Sequence, residues 1–499
     1  MLGIDLGTSS VKALVARLDG SVAGQAIRDY PVDSPQPGWS ETSPGDWLAA
    51  TAAAVRAAVA QAGADPAAIG LSGQMHGVVP TADDGRPLRP AMLWSDARAV
   101  PELRLYRRLP PDALTRLANP LSPGMAGPML AWLAANEPTT YAVTRWALQP
   151  KDWLRARLTG RFATEPSDAS ATLLYDVARE TWAVDVVDAL GLDPGKLPPM
   201  LPRSAERAGA LTADAAALLG LRAGIPVAAG AADTAAAALG SGLADPSTVQ
   251  LTIGTGAQLV RPVNALPDRL STHPVTHLYR AATDTGWYTM GAVLNGGLTL
   301  GWVCGILGAS WSELYAAAAI APRVDDPYFL PHLHGERTPY LDPALRGAWT
   351  GLGPRHERRH LLRAALEGVA FAIRDALECV LEPDERAVHL RLAGGGTTDP
   401  GWRLMLADIL GHTLIPVEVP AASGLGAALL GARAAGLAER FAGGRTDRNA
   451  PTPTDIRYSD LYQERHQAFR RKVRALRDTD NRPAGDAGSA GPTNQPKRA

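Results

Sequence analysis

Apolar and polar positions change period along the chain. The first 30 residues carry short strand-like apolar runs around Ile4, Val11 and Ala26, broken by Gly, Thr and Ser, and read as a strand meander. Trp47 to Ala62 is an Ala-rich helical stretch, with Ser43-Pro44 placing a cap and a proline near its start. Ile69-Gly70-Leu71-Ser72-Gly73 then reads as a short buried strand emptying into Gln74-Met75-His76-Gly77. Open α/β sheets place ligands at the carboxyl ends of such strands. Helices follow near 129–136 and 149–158, and the Pro-rich passage from Leu197 to Pro202 suits a loop. From Val227 to Ala236 the pattern is an apolar strand, a small-residue turn and an Ala-rich helix whose first turn carries Asp233. The second half restarts with strands of its own, and helices are expected over 357–382, 400–411 and 424–440. Residues 479–499 are rich in Gly, Ala, Pro, Asp and Asn without periodicity, which predicts a disordered tail.

Two distant segments share one design. Gly3-Ile4-Asp5-Leu6-Gly7-Thr8-Ser9-Ser10-Val11-Lys12 sets an acidic residue and a Gly-Thr turn between apolar runs, and Leu251-Thr252-Ile253-Gly254-Thr255-Gly256-Ala257 echoes it. A turn of Gly, Thr and Ser lets backbone N–H groups converge without interference from Cβ atoms, making a concave anion site suited to ATP phosphates. Asp5 stands where a carboxylate can hold the Mg²⁺ that bridges those phosphates. Either segment alone is equally well an ordinary β-hairpin; the repetition favours nucleotide binding. A second hairpin needs its own sheet, so the chain divides between about 236 and 248 into domains 1–240 and 241–478.

Bulk properties narrow the function. A chain of 499 residues exceeds one core and splits into domains. Lys+Arg 49 against Asp+Glu 50 leaves no basic field, so no nucleic-acid partner is expected. Cys304 and Cys379 have neither metal spacing nor a disulfide framework, and no charged and apolar leader opens the chain, so a cytoplasmic location is expected. The weakly polar stretch from Pro226 to Leu243 is interrupted by Asp233 and Ser241 and makes a poor membrane span. A homodimer is compatible with the sequence, which does not fix the oligomeric state.

Further segments complete a resemblance: Gly38-Trp39-Ser40-Glu41, Gly73 to Gly77, Leu93-Trp94-Ser95-Asp96 with Arg98, Pro150-Lys151-Asp152-Trp153-Leu154, Ser167-Asp168-Ala169, Gly335-Glu336-Arg337-Thr338-Pro339 and Ala393-Gly394-Gly395-Gly396. Together these resemble the FGGY carbohydrate kinases, and within them the xylulokinases, over nearly the whole chain to about 475. The resemblance implies two actin-like, ribonuclease-H-like α/β domains with an ATP and sugar cleft between them. It implies ATP-dependent phosphorylation of a ketopentose, D-xylulose at O5 foremost, with Mg²⁺ as cofactor. By similarity Asp233 is the general base and Asp5 organises Mg²⁺ and phosphates, both carboxylates being within reach of the metal. The sugar pocket falls to Gln74, Met75, His76, Trp94, Asp233 and Thr234, and the nucleotide to Gly7, Thr8, Lys12, Gly254, Thr255, Gly394 and Gly395. The chemistry needs these residue types. A sugar hydroxyl is a weak nucleophile whose proton a carboxylate can accept, and phosphoryl transfer otherwise rests on positioning and charge neutralisation. The two carboxylates are expected at opposite ends of the N-terminal domain, facing one shared pocket.

Plainer readings compete. An Asp in a helix's first turn also serves the helix dipole, at about 0.3–1 kcal/mol. His76 also reads as a structural histidine, and Trp39, Trp47, Trp94 and Trp402 as packing residues. His332-x-His334 lacks a third ligand with metal spacing. The sequence also departs from xylulokinases: Thr234 stands where Asn is common, Ala231-Ala232 replace glycines, and Met129 replaces a frequent Lys. The shorter hydroxyl of Thr234 satisfies fewer sugar hydrogen bonds, which opens the substrate to other ketoses, pentitols or aldonates. A non-kinase actin-like ATPase shares the two hairpins but has no need of the Gln74 to Gly77 and Asp233 segments, and intact Asp5 and Asp233 argue against a silent sugar sensor.

Overall fold

The computed structural model describes residues 1–381, 389–418, 421–438, 451–455 and 458–480. The N-terminal meander forms β1 (Leu2–Leu6), β2 (Ser10–Ala16) and β3 (Val22–Asp29). Strand alternation sorts β1 by face. Leu2, Ile4 and Leu6 enter a core shared with Trp47 and Val55, while Gly3 faces Gly424 on the other side. The sheet is extended by β4 (Ile69–Gly73), β5 (Arg207–Ala210), β6 (Pro226–Ala228) and β7 (Ala231–Ala232) in the order β5-β6-β4-β1-β2-β3, with β7 also paired to β4.

The second half repeats the plan with β8 (Thr248–Ile253), β9 (Ala257–Val263), β10 (His277–Arg280), β11 (Trp287–Val293), β12 (His389–Ala393) and β13 (Leu414–Pro416), ordered β10-β11-β9-β8-β12-β13. In both sheets an antiparallel hairpin (β1/β2, β8/β9) is followed by a parallel partner for its first strand (β4, β12). A helical crossover is the ordinary route to such parallel pairing.

The expected helices form as α1 (Pro44–Ala62), α2 (Ala126–Asn136), α3 (Pro150–Thr159) and α4 (Asp233–Gly240) in the first half. The second half has α5 (Gly297–Leu307), α6 (Arg358–Val380), α7 (Pro400–Leu410), α8 (Ala422–Ala434) and α9 (Ser459–Asp480). Ser43 occupies the α1 N-cap position, but its side chain makes no capping bond; Pro44 at the first turn starts the helix. The helix expected over 424–440 ends at Ala434, and residues 439 and 440 lie outside the described residues. The tail expected over 479–499 begins inside α9, and 481–499 lie outside the described residues. Among the described residues no helix is long and apolar enough to cross a membrane.

One packing event joins the halves. Helix α8 belongs to the second half by sequence, yet Ala428 and Ala432 share a small core with Met1, Leu14, Ala16 and Ala68. It lies so close to β1, β4 and α4 that side chains are excluded: a Cβ on Gly70 would stand 1.8 Å from the Ala427 carbonyl oxygen, and one on Gly426 1.9 Å from that of Ala236. Helix α8 therefore packs on the sheet of the first half. Gly70→Ala is expected to destabilise the protein by about 1–3 kcal/mol, since backbone rather than a side chain must give way. Gly305→Ala, at an open helical position, is expected to stabilise it by about 0.5–1 kcal/mol. Urea unfolding of both variants measures the difference.

Candidate active site

The strand register assembles the site. Asp5 pairs with Ser72 across β1/β4, and Ser72 pairs with Ala231 across β4/β7, so Asp233, two residues beyond Ala231, emerges at the sheet edge where β1 ends. Though they stand near opposite ends of the first half in sequence, the two acids lie at the same end of one sheet and line one cavity. Asp5 accepts from Ser72 Oγ at 2.8 Å and sits opposite Lys12 across the hairpin. Burial pushes its carboxyl above the usual range, and Ser72 and Lys12 partly offset this. Asp233 is raised to about 7, first by burial and then by the neighbouring Asp5 charge. Its Oδ1 accepts from the Thr234 N–H at 2.6 Å and the Thr234 hydroxyl at 3.2 Å.

Two joined cavities meet at Asp233 and Thr234. The larger, about 700 Å³, is lined by Asp5, Gly7, Lys12, Gly394 and Glu418 among others. The smaller, about 440 Å³, is lined by Thr8, Met75, His76, Trp94 and Arg337, and by the Gly254-Thr255-Gly256 turn. Both hairpin turns thus reach the cleft, but Gly254 and Thr255 border the smaller lobe rather than sharing the larger one with Gly7 and Lys12. The second turn is fixed because Gly254 and Thr255 accept, at 2.9 and 3.0 Å, from Gly297 N and Leu298 N at the start of α5. Gly394 has φ +100, and a Cβ there would lie 2.3 Å from the Ile253 carbonyl oxygen, so only glycine fits. Gly395 is exposed and lines neither cavity.

Gln74 is not a lining residue. It is 1% exposed and donates from Nε2 to the Gly7 carbonyl at 3.2 Å, bracing the phosphate turn from beneath. Trp94 does border the smaller lobe, and its indole N–H donates to Thr8 Oγ1 at 3.0 Å. His76 has φ 72, a strained conformation for a non-glycine residue. Its Nδ1 lies 2.7 Å from the Ala171 carbonyl, which can only accept, so the ring proton sits on Nδ1 and Nε2 presents a lone pair. Burial foremost, with the Arg337 charge, lowers its pKa to about 4, so the ring is neutral at physiological pH. His332 bonds Glu336 through Nδ1 at 3.1 Å, while Met129 is fully buried in the N-terminal core.

Sequence reasoning missed Gln258 and Arg337 as lining residues. Gln258, on β9, places its amide 3.5 Å from the Thr234 hydroxyl across the cleft. Arg337 lay within a quoted motif, and an Arg flanked by Glu, Thr and Pro in a loop was the available signal.

A duplicated α/β fold with a Gly-rich turn reaching the cleft from each half, and a carboxylate raised to about pKa 7 between two lobes, has the parts of an ATP-dependent phosphotransferase of small alcohols. The sequence profiles of the N-terminal and C-terminal domains of the FGGY family of carbohydrate kinases match residues 1–240 and 249–435. The xylulose kinase of Escherichia coli K12 is 34% identical over 95% of this chain and 99% of its own. The L-xylulose/3-keto-L-gulonate kinase of the same strain is 31% identical over 95% of this chain and 97% of its own. A crystal structure of a xylulose kinase from Brucella ovis superposes with a TM-score of 0.89 at 34% identity, covering 96% of this chain and 99% of that one. The chain belongs to the FGGY family of carbohydrate kinases.

The raised Asp233 pKa links function to stability. Its carboxyl holds a proton up to about 7 when folded, against 3.8 when unfolded, so the folded state binds more protons between those values. Its contribution to stability is full below pH 3.8 and is lost as pH rises through 7. Asp233→Asn is therefore expected to raise the melting temperature at pH 8 in EDTA by several degrees and to leave it nearly unchanged at pH 4. Scanning calorimetry at both pH values tests the sign.

Proposed function

We propose that this chain phosphorylates a ketopentose with ATP, D-xylulose at O5 being the preferred acceptor. The reading rests chiefly on Asp233, which alone among the carboxylates lining the cleft borders both lobes and whose pKa of about 7 suits a general base. The larger lobe takes the nucleotide, its phosphates reaching the Gly7 turn, Lys12 and Gly394. The smaller takes the sugar against Met75, Trp94 and the free Nε2 of His76, a hydrogen-bond acceptor for a sugar hydroxyl. Asp233 accepts the hydroxyl proton as the oxygen–phosphorus bond forms and the bond to the leaving ADP oxygen breaks.

The donor set fits Mg²⁺: a buried carboxylate, Asp5, and a part-buried one, Asp233, whose charges repel, with hard oxygen atoms and open cavity beside them. Asp5 would hold it, with Asp233 on the opposite flank, and the ion would neutralise phosphate charge. Thr234 does not turn its hydroxyl wholly to the sugar. It donates to Asp233 and lies 3.5 Å from the Gln258 amide nitrogen of the second half, which also lies 2.8 Å from Met290 Sδ. A second reading, a different ketose or an aldonate, draws support from the relative named for L-xylulose and 3-keto-L-gulonate. We place the enzyme in the cytoplasm, acting on the free sugar.

Two outcomes are expected. ADP release assayed with D-xylulose, L-ribulose, L-xylulose, gluconate, glycerol and pentitols should be fastest with D-xylulose; a strong preference for another acceptor transfers the activity to it. Asp233→Asn should lower kcat by about 10²–10⁴ while leaving ATP and sugar affinities within a few fold. Near-wild-type turnover removes Asp233 from the base role.

A further inference from the structure

Among the residues lining the smaller lobe there is one side-chain cation, Arg337, since His76 is neutral. Its guanidinium makes no ion pair within 4.0 Å among the described residues; it rests over the Trp94 ring at 5.6 Å, with Tyr279 and Glu336 as its nearest acidic neighbours. The adjacent Glu336 does not neutralise it closely. That carboxylate accepts from Leu294 N at 2.8 Å, from the Arg337 backbone N–H at 3.0 Å and from Asn295 Nδ2 at 3.0 Å, and lies 3.1 Å from His332 Nδ1. The backbone carrying Arg337 is fixed. Thr338 N donates to the Ala292 carbonyl at 2.9 Å, and Thr338 Oγ1 to that of Val275 at 2.9 Å.

Arg337 is part-buried in a lobe whose one lining carboxylate is Asp233, and a guanidinium partly withdrawn from water without a close counter-charge is costly to keep. Burial indeed lowers the Arg337 pKa. Resting on the proposed kinase reading, the one anion that reaction brings to the sugar is the phosphoryl group itself. We propose that Arg337 is the anion-binding residue of the sugar lobe: it receives the phosphoryl group as it passes from ATP to the sugar oxygen and retains the phosphate of the product. Proton and electron traffic are untouched. The oxygen–phosphorus bond to the sugar forms, the bond to ADP breaks, the hydroxyl proton goes to Asp233, and Arg337 stays charged throughout.

The Arg337–Trp94 contact also joins the halves of the molecule. Arg337 stands on the second half, Trp94 on the first, and the Trp94 indole N–H holds Thr8 in the first phosphate turn. A phosphoryl group engaged by Arg337 would thus be held from the second half beside a ring that orders the turn of the first.

The test uses the full-length enzyme and three ligands: D-xylulose, D-xylulose 5-phosphate and D-gluconate, titrated calorimetrically against wild type, R337M and R337K. R337M is expected to weaken the phosphate ester by on the order of tenfold to a hundredfold, with D-xylulose unchanged within twofold. It should lower kcat by at least a similar factor, and R337K should recover part of both losses. Equal weakening of sugar and sugar phosphate, or no weakening of either, overturns the proposal. So does loss confined to gluconate, which would make Arg337 a reader of a substrate carboxylate. Should R337M not fold, R337Q with a matched melting temperature replaces it. Wild-type ADP release is measured first. If another sugar is preferred, that sugar and its own phosphate ester are titrated, so failure of the xylulose reading leaves the anion test intact.

Discussion

The parallel pairing of β1, β4 and β7 is the constraint on which the site depends. A β-ladder admits no half steps, and slipping one strand by a residue turns every side chain to the other face. With Asp5 beside Ser72 and Ser72 beside Ala231, the two carboxylates must reach the same sheet edge, though 228 positions separate them in sequence. Their proximity is costly in the free protein, because Asp5 is buried, Asp233 is partly so, and the Asp5 charge disfavours ionisation of Asp233. That cost is the electrostatic counterpart of function: the arrangement that raises Asp233 also makes a place for positive charge, whether a metal ion or the proton of an attacking hydroxyl.

The second constraint is steric. Helix α8 reaches from the second half to lie on the first sheet, with glycines at 3, 70, 240, 426 and 431 letting the backbones approach closely. Close approach of this kind relies on dispersion contacts over a wide face and tolerates no added methyl. It places the junction of the halves beneath the cleft. Asp233, on the helix that packs against α8, stands at the same seam.

Much of the fold was legible in sequence because it depends on local rules. The hairpins at Gly7 and Gly254 carry glycine where the backbone must turn, Ile69–Gly73 forms as the strand its apolar run predicted, and α3, α6 and α7 begin and end within two residues of expectation. Gln74 was misjudged because sequence proximity to Met75 and His76 carries no information about direction; strand geometry turned it down onto Gly7. Arg337 and Gln258 were missed as lining residues for a complementary reason. Both come from the second half, and their opposition to Trp94 and Thr234 exists only once the halves meet.

By itself the sequence determined the duplicated hairpin chemistry, the helices and strands around it, and the acidic and glycine residues suited to phosphate transfer, since these follow from backbone conformational freedom and hydrophobic period. Only the tertiary structure decided that Asp5 and Asp233 share an edge, that Gly254 and Thr255 border the smaller lobe, and that a guanidinium with no ion pair among the described residues faces it. Burial, charge repulsion and cross-cleft contact are properties of arrangement in space, and no residue carries them alone.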